Sequence, residues 1–154
     1  FAMGIEYAVM PELTVSAGAT WYFMSQSTND SIGAMDTAFD TGYELSLGAT
    51  YKVMEPLKVG ATFCYTNQAV KDAYMEDSTT SNFLTTSASP VLDSLMFGLG
   101  ATFTVMPGLD VTLAGNWVHY LPKSWDVDSA SGSTLECSYE KEVYTIALGV
   151  GYKI

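Results

Sequence analysis

The sequence predicts an all-β fold, a transmembrane antiparallel β-barrel. Three observations predict it. Apolar residues recur with a period of two along seven segments, which is how a strand with one apolar face reads. The alternate positions carry mainly Gly, Ala, Ser and Thr, whereas a soluble sheet meets water with Lys and Glu. The connections alternate between short turns and long polar loops, as they do in bacterial membrane barrels.

The opening segment presents Phe1, Met3, Ile5, Tyr7 and Val9 on one face. In 13–24, Leu13, Val15, Ala17, Ala19, Trp21 and Phe23 oppose Thr14, Ser16, Gly18, Thr20 and Tyr22. The third segment sets Tyr43, Leu45, Leu47, Ala49, Tyr51 and Val53 against Glu44, Ser46, Gly48, Thr50 and Lys52. The fourth sets Leu57, Val59, Ala61, Phe63 and Tyr65 against Lys58, Gly60, Thr62, Cys64 and Thr66. Leu95, Phe97, Leu99, Ala101, Phe103 and Val105 mark the fifth, and Leu109, Val111, Leu113 and Trp117 the sixth. The last offers Tyr144, Ile146, Leu148, Val150, Tyr152 and Ile154. Segments of about 9–11 residues are what a tilted strand needs to cross a bilayer.

Met10-Pro11-Glu12, Met54-Glu55-Pro56 and Met106-Pro107-Gly108 each sit between a Val and a Leu and read as three-residue hairpin loops. The other connections, 25–41, 68–93 and 122–141, read as long polar loops. Gly-Ala-Thr recurs at 18–20, 48–50, 60–62 and 100–102, so the chain is an internal hairpin repeat. With no linker or internal boundary, residues 1–154 read as part of a single domain.

Composition narrows the function. Net charge is -11, with six Lys and no Arg, which argues against nucleic acid, because phosphate binding needs clustered cations. Two Cys are too few for a disulfide scaffold. No apolar run approaches the ~18 residues of a membrane helix. The chain begins at Phe1 inside the apolar pattern, as expected of a mature or truncated segment.

Aromatic residues fall at two levels. Tyr7, Tyr51, Phe103 and Tyr152 lie near the short-turn ends, and Trp21, Phe23, Tyr43, Phe63, Tyr65, Trp117 and Tyr144 near the long-loop ends. Rings that are apolar at one edge and polar at the other suit the two membrane interfaces. A barrel in lipid must close, and single-chain bacterial barrels have even strand numbers. Seven strands therefore imply at least one more.

The run 9–21, Val-Met-Pro-Glu-Leu-Thr-Val-Ser-Ala-Gly-Ala-Thr-Trp, its two relatives, and the closing Ile-Ala-Leu-Gly-Val-Gly-Tyr-Lys-Ile of 146–154 resemble the C-terminal half of the FadL/OmpP1/TodX family. The resemblance implies half of a fourteen-stranded bacterial outer-membrane barrel. It also implies transport of long-chain fatty acids and other hydrophobic compounds, a lipid environment and a missing N-terminal half. The family's hatch and most of its substrate contacts lie upstream, so no site residue transfers by position. The expectation is passive uptake of a hydrophobic small molecule, with no enzymatic activity, metal or cofactor. The alternative is a structural or adhesive barrel of eight strands, whose lumen side chains would fill. The small inward residues disfavour it, and the missing Arg disfavours an ion-selective porin.

Candidate ligand contacts are few. Lys52, Lys58 and Lys153 share the inward face near the short turns, and pairing across the hairpin sets Lys52 against Lys58. Opposed like charges need a neutralising group: Glu6, Asp110, a plug carboxylate, a ligand carboxylate, or screening by lumen water. Phe39, Phe83, Leu84 and Trp125 are apolar residues in the long loops, suited either to packing over the barrel mouth or to capturing a hydrophobic ligand. Ile32, Met35 and Phe39 have helical spacing. His119 is expected at the outer interface, without catalytic partners. Cys64 fits a small lumen filler, and whether it pairs with Cys137 is left open. Asp126 and Asp128 lack EF-hand spacing and read as solvated acids.

Overall fold

The structure, a computed structural model, describes residues 1–26, 28–29, 33–34, 39–72, 92–128, 132 and 134–153, without the side chains at 28, 29, 33, 34, 125, 127, 128, 135 and 137. Seven strands form one antiparallel sheet: β1 (Ala2–Met10), β2 (Leu13–Phe23), β5 (Thr41–Met54), β6 (Leu57–Asn67), β7 (Ser94–Met106), β8 (Leu109–Asp128) and β9 (Thr134–Tyr152). They pair in chain order, β1-β2-β5-β6-β7-β8-β9. A separate two-stranded ladder, β3 (Thr28–Asn29) with β4 (Gly33–Ala34), lies in the connection between β2 and β5. Ile32 and Met35, two of the three residues read at helical spacing, lie outside the described residues.

The expected faces line up across the whole sheet. One row runs Tyr7, Val15, Ala49, Ala61, Leu99, Gly115 and Ile146, and the next runs Tyr51, Val59, Ala101, Leu113 and Leu148. Among the described residues Leu92 is the one buried hydrophobic side chain, while Ile5, Leu47, Leu99, Leu113, Ile146 and Leu148 are all exposed. A continuous apolar sheet face without a core behind it is incompatible with water as its solvent.

Register supplies the geometry of the membrane crossing. Leu13 pairs with Tyr51, two ladder rows before the Met54–Leu57 turn pair; Leu57 pairs with Phe103, two rows before the Met106–Leu109 pair. Each hairpin therefore steps two rows along the sheet, one residue per strand. With ~3.4 Å rise and ~4.8 Å between strands, level turns require strands tilted by about 35°. That is the tilt of membrane barrels. Tyr7 shares a row with Ile146, Tyr51 with Leu148 and Phe103 with Val150, and Tyr152 follows next on β9. The four lower aromatics thus descend at the same two rows per hairpin and stand at one height. Tyr43 and Tyr51 on β5, and Tyr144 and Tyr152 on β9, are each eight residues apart, which at that tilt separates the two aromatic levels by about 22 Å, close to the height of an outer-membrane apolar band.

The short turns differ from the sequence expectation. Met10 pairs with Leu13, Met54 with Leu57 and Met106 with Leu109, leaving two-residue loops, and each ladder is irregular one residue earlier, at Val9, Val53 and Val105. A bulge absorbs the residue that the sequence assigned to the loop. In the third turn Pro107 presets its own φ and Gly108 takes +85°.

The third long connection is also corrected. Most of 122–141 is ladder: β8 continues to Asp128 and β9 begins at Thr134, with Lys123 opposite Tyr139 and Asp126 opposite Glu136. Pro122 suggested a loop because it cannot donate to a ladder. It sits in the register shift between Tyr120 and Lys123, where a missing donor is tolerated.

Candidate functional site

The face opposite the apolar one carries hydroxyls and glycines in register: Ser16 beside Gly48, Gly18 beside Ser46, Thr62 beside Gly98. These glycines are not open space. A Cβ would fall 2.7 Å from Ser46 Oγ at Gly18, 2.6 Å from Ser16 Oγ at Gly48 and 2.5 Å from Thr62 Oγ1 at Gly98. The neighbouring hydroxyl leans across each one. The open positions lie lower, in the row Thr50, Gly60, Gly100, Ala114 and Ala147. There the face is nearly bare backbone and forms the floor of a recess of about 480 Å³. Met96, Gly98 and Asn116 stand toward its long-loop end, and Lys58, Thr102 and Thr112 toward the short turns.

Polar groups around this floor are mostly satisfied by one another. Thr102 Oγ1 and Thr112 Oγ1 are 2.9 Å apart, and the Thr104 hydroxyl donates to Asp110 at 2.6 Å. Higher on the same face Glu44 accepts from the Tyr22 hydroxyl at 2.6 Å and from Thr66 at 3.3 Å. Lys52 and Lys58 are directly opposed across the hairpin. Lys52 donates to Glu55 in the turn, at 2.6 Å. This hydrogen bond, with the lysine charge behind it, holds the Glu55 carboxyl below its ordinary 4.5. Lys58 has no hydrogen-bond or ion-pair partner among the described residues. Glu55 was not among the neutralising groups read from the sequence. Its place three residues after Lys52, inside the turn, was the signal.

The long-loop end is organised by loop roots. Leu92, 2% exposed, packs against Val70, Tyr120 and Tyr139. Asp93 accepts from Asn67 Nδ2 at 3.1 Å and from the Gln68 amide at 2.8 Å, while its carbonyl takes the Leu121 amide at 2.8 Å. Lys123 pairs with Asp72, and Lys141 lies 4.8 Å over the Tyr120 ring. Above the upper aromatic level β9 reverses its polarity: Glu136, Glu140 and Glu142 are exposed, and Tyr139 on the alternate face packs inward against Leu92.

The structure superimposes on part of a larger barrel. A crystal structure of a Pseudomonas aeruginosa FadL homologue matches with a TM-score of 0.71 over 98% of this chain, at 17% identity. The fold is that of part of a FadL-like barrel. The chain spans about a third of that protein's length, 34%. No family model matches the sequence, and no curated protein does. In the wall of a barrel in lipid the apolar face is the outer one, which makes the Gly/Thr face the lumen side.

The sequence-predicted contacts fall at opposite ends. Lys52 and Lys58 lie together at the short-turn end. Phe39 is at the other, bridged through its backbone to Val70 beside the Leu92 cluster. Trp125 is opposite Cys137 in the protruding β8–β9 hairpin rather than in a loop. Phe83 and Leu84 lie outside the described residues. Cys64 is a free thiol on the lumen face, 4.0 Å from the Thr66 hydroxyl. His119 is outward, 3.3 Å from Glu142, and its ring lies beside Trp117. Asn116, which the sequence reading passed over, has a buried Oδ1 without a partner among the described residues. A single Asn in a run of small residues gave little sign of this.

Proposed function

We propose that the chain is the C-terminal half of a single outer-membrane barrel that admits hydrophobic, fatty-acid-like small molecules by passive diffusion. The recess carries this reading: a bare backbone floor on the lumen face, bordered by Lys58, which has no partner among the described residues, inside a wall of membrane-spanning height. Ligand pockets are mostly apolar with a few placed polar groups, and this recess has that character. The likeness to the FadL homologue supports it. The remaining strands, which would pair with the free edges of β1 and β9, belong to an N-terminal half of the same polypeptide. An unpaired edge in hydrocarbon is untenable. Capture falls to apolar side chains at the mouth, Phe39 and the cluster around Leu92 among them. Passage then follows the Gly/Thr wall toward Lys58. The reading requires no energy source. An eight-stranded barrel would need bulky lumen side chains, and the rows of Gly, Ser and Thr do not supply them.

The test is uptake. The full-length protein, expressed in a bacterium deprived of its own fatty-acid uptake barrel, should restore accumulation of labelled oleate. Equal accumulation with and without the protein would refute transport of this substrate class.

A further inference from the structure

We infer that the lumen recess binds a hydroxylated anionic amphiphile, with its anion at Lys58 and its hydroxyl at Asn116. The inference rests on the transport reading and adds a requirement to it.

Lys58 is the cation among the lining groups and has no partner among the described residues, and Asn116 Oδ1 is the buried side-chain polar atom among them without a hydrogen bond. Two of the hydroxyls on that floor are engaged and a third leans over a glycine. Thr102 and Thr112 bond each other. Thr62 Oγ1 occupies the space over Gly98. Lys52, the second cation of the hairpin pair, is taken by Glu55. An anion entering the recess therefore meets one free ammonium, Lys58. A charge-assisted hydrogen bond would hold it there and relieve the repulsion between the two lysines.

Asn116 adds the second requirement. A buried amide oxygen without a donor calls for one. A hydroxyl both donates and accepts, so it satisfies this amide whichever way its oxygen and nitrogen are turned. A plain alkyl chain leaves the group unpaired. The separation is set by register. Lys58 is opposite Thr102 and Asn116 opposite Gly98, four residues apart on β7, which is roughly 13 Å of strand. Between them lie Gly60, Gly100, Ala114 and Ala147, a strip of small residues for an acyl chain, with Thr50 at the end of the row. The ligand class is thus a long chain with an acid at one end and a hydroxyl partway along it.

The experiment compares stearate with a mid-chain hydroxystearate. Both are titrated into the purified full-length barrel, with binding read by calorimetry. The hydroxystearate should bind about five- to tenfold more tightly, the value of one extra neutral hydrogen bond. Asn116→Leu should erase that preference and keep binding of stearate. Lys58→Met should weaken both acids about tenfold while keeping their ratio. Equal affinities in the unsubstituted protein, or a preference that survives Asn116→Leu, would overturn the inference and leave the transport reading standing. Failure of the unsubstituted protein to bind either acid would overturn both. The comparison within the unsubstituted protein needs no variant, so misfolding of a variant cannot mask the answer.

Discussion

Lys52 and Lys58 face each other across the β5–β6 hairpin, and the carboxylate that answers them, Glu55, comes from the turn itself. One lysine is thereby neutralised at the membrane edge and the other is left toward the lumen recess. A three-residue separation along the chain thus makes the two cations unequal.

Glu55 titrates below its ordinary value because Lys52 bonds its charged form. Its contribution to stability is therefore present above pH 4.5 and is lost as pH falls through the lowered folded value. The side chain is 90% exposed, so the effect is small and weakened by salt. Thermal midpoints of the full-length protein and Glu55→Gln should differ at pH 7 in low salt and converge in strong acid. A difference that grows on acidification would contradict the assignment.

Gly108 and Gly132 share a left-handed backbone, φ +85° and +80°. Their surroundings differ: a Cβ on Gly108 would meet the Lys153 carbonyl at 2.7 Å, while around Gly132 there is nothing within 4 Å. Gly132→Ala should cost about 1 kcal/mol, from the backbone alone. Gly108→Ala should cost more, by roughly 1–3 kcal/mol of overpacking. Urea unfolding in detergent checks the order.

Leu148 lies midway between Tyr144 and Tyr152 on the apolar face and is 73% exposed, while Ala147 lines the recess. Leu148→Arg should destabilise the folded barrel in lipid by about 2–4 kcal/mol, and Ala147→Arg by much less. The reverse order in vesicle-based unfolding would mean that the two faces have been exchanged.

Leu92 is the seal of the loop roots. Leu92→Ala removes the side chain packed on Val70, Tyr120 and Tyr139. The Leu121 amide bonded to the Asp93 carbonyl should then exchange at least tenfold faster, with the lower hairpins unaffected. Hydrogen exchange read by mass spectrometry would resolve the two regions.

The period of two was enough to assign the faces of all seven strands, because in lipid each row of Leu, Val and Tyr has one permitted side. It also located the aromatic levels, although their common height emerged only from register, which couples distant residues such as Tyr7 and Ile146. Three features escaped it for physical reasons. Pro122 interrupts a ladder without ending it, because a bulge accommodates the missing donor. Met10, Met54 and Met106 read as loop residues yet pair in the ladder beyond the irregularities at Val9, Val53 and Val105, since alternation does not distinguish an extra strand residue from a turn residue. The partner of Lys52 and the unpaired Oδ1 of Asn116 depend on side-chain reach across space, which spacing alone does not encode. Of the candidate contacts, the lysines were legible from hairpin parity, whereas Phe39 was placed by a backbone bridge to Val70 that no local pattern announces.

The constant two-row step has an evolutionary corollary. A hairpin that advances the ladder by the same amount as its neighbours is an interchangeable module. Copying one would widen the pore by two strands and preserve both the slant of the wall and the level of its girdles. Pore width could then change by gene duplication alone, without redesign of the lipid-facing belt.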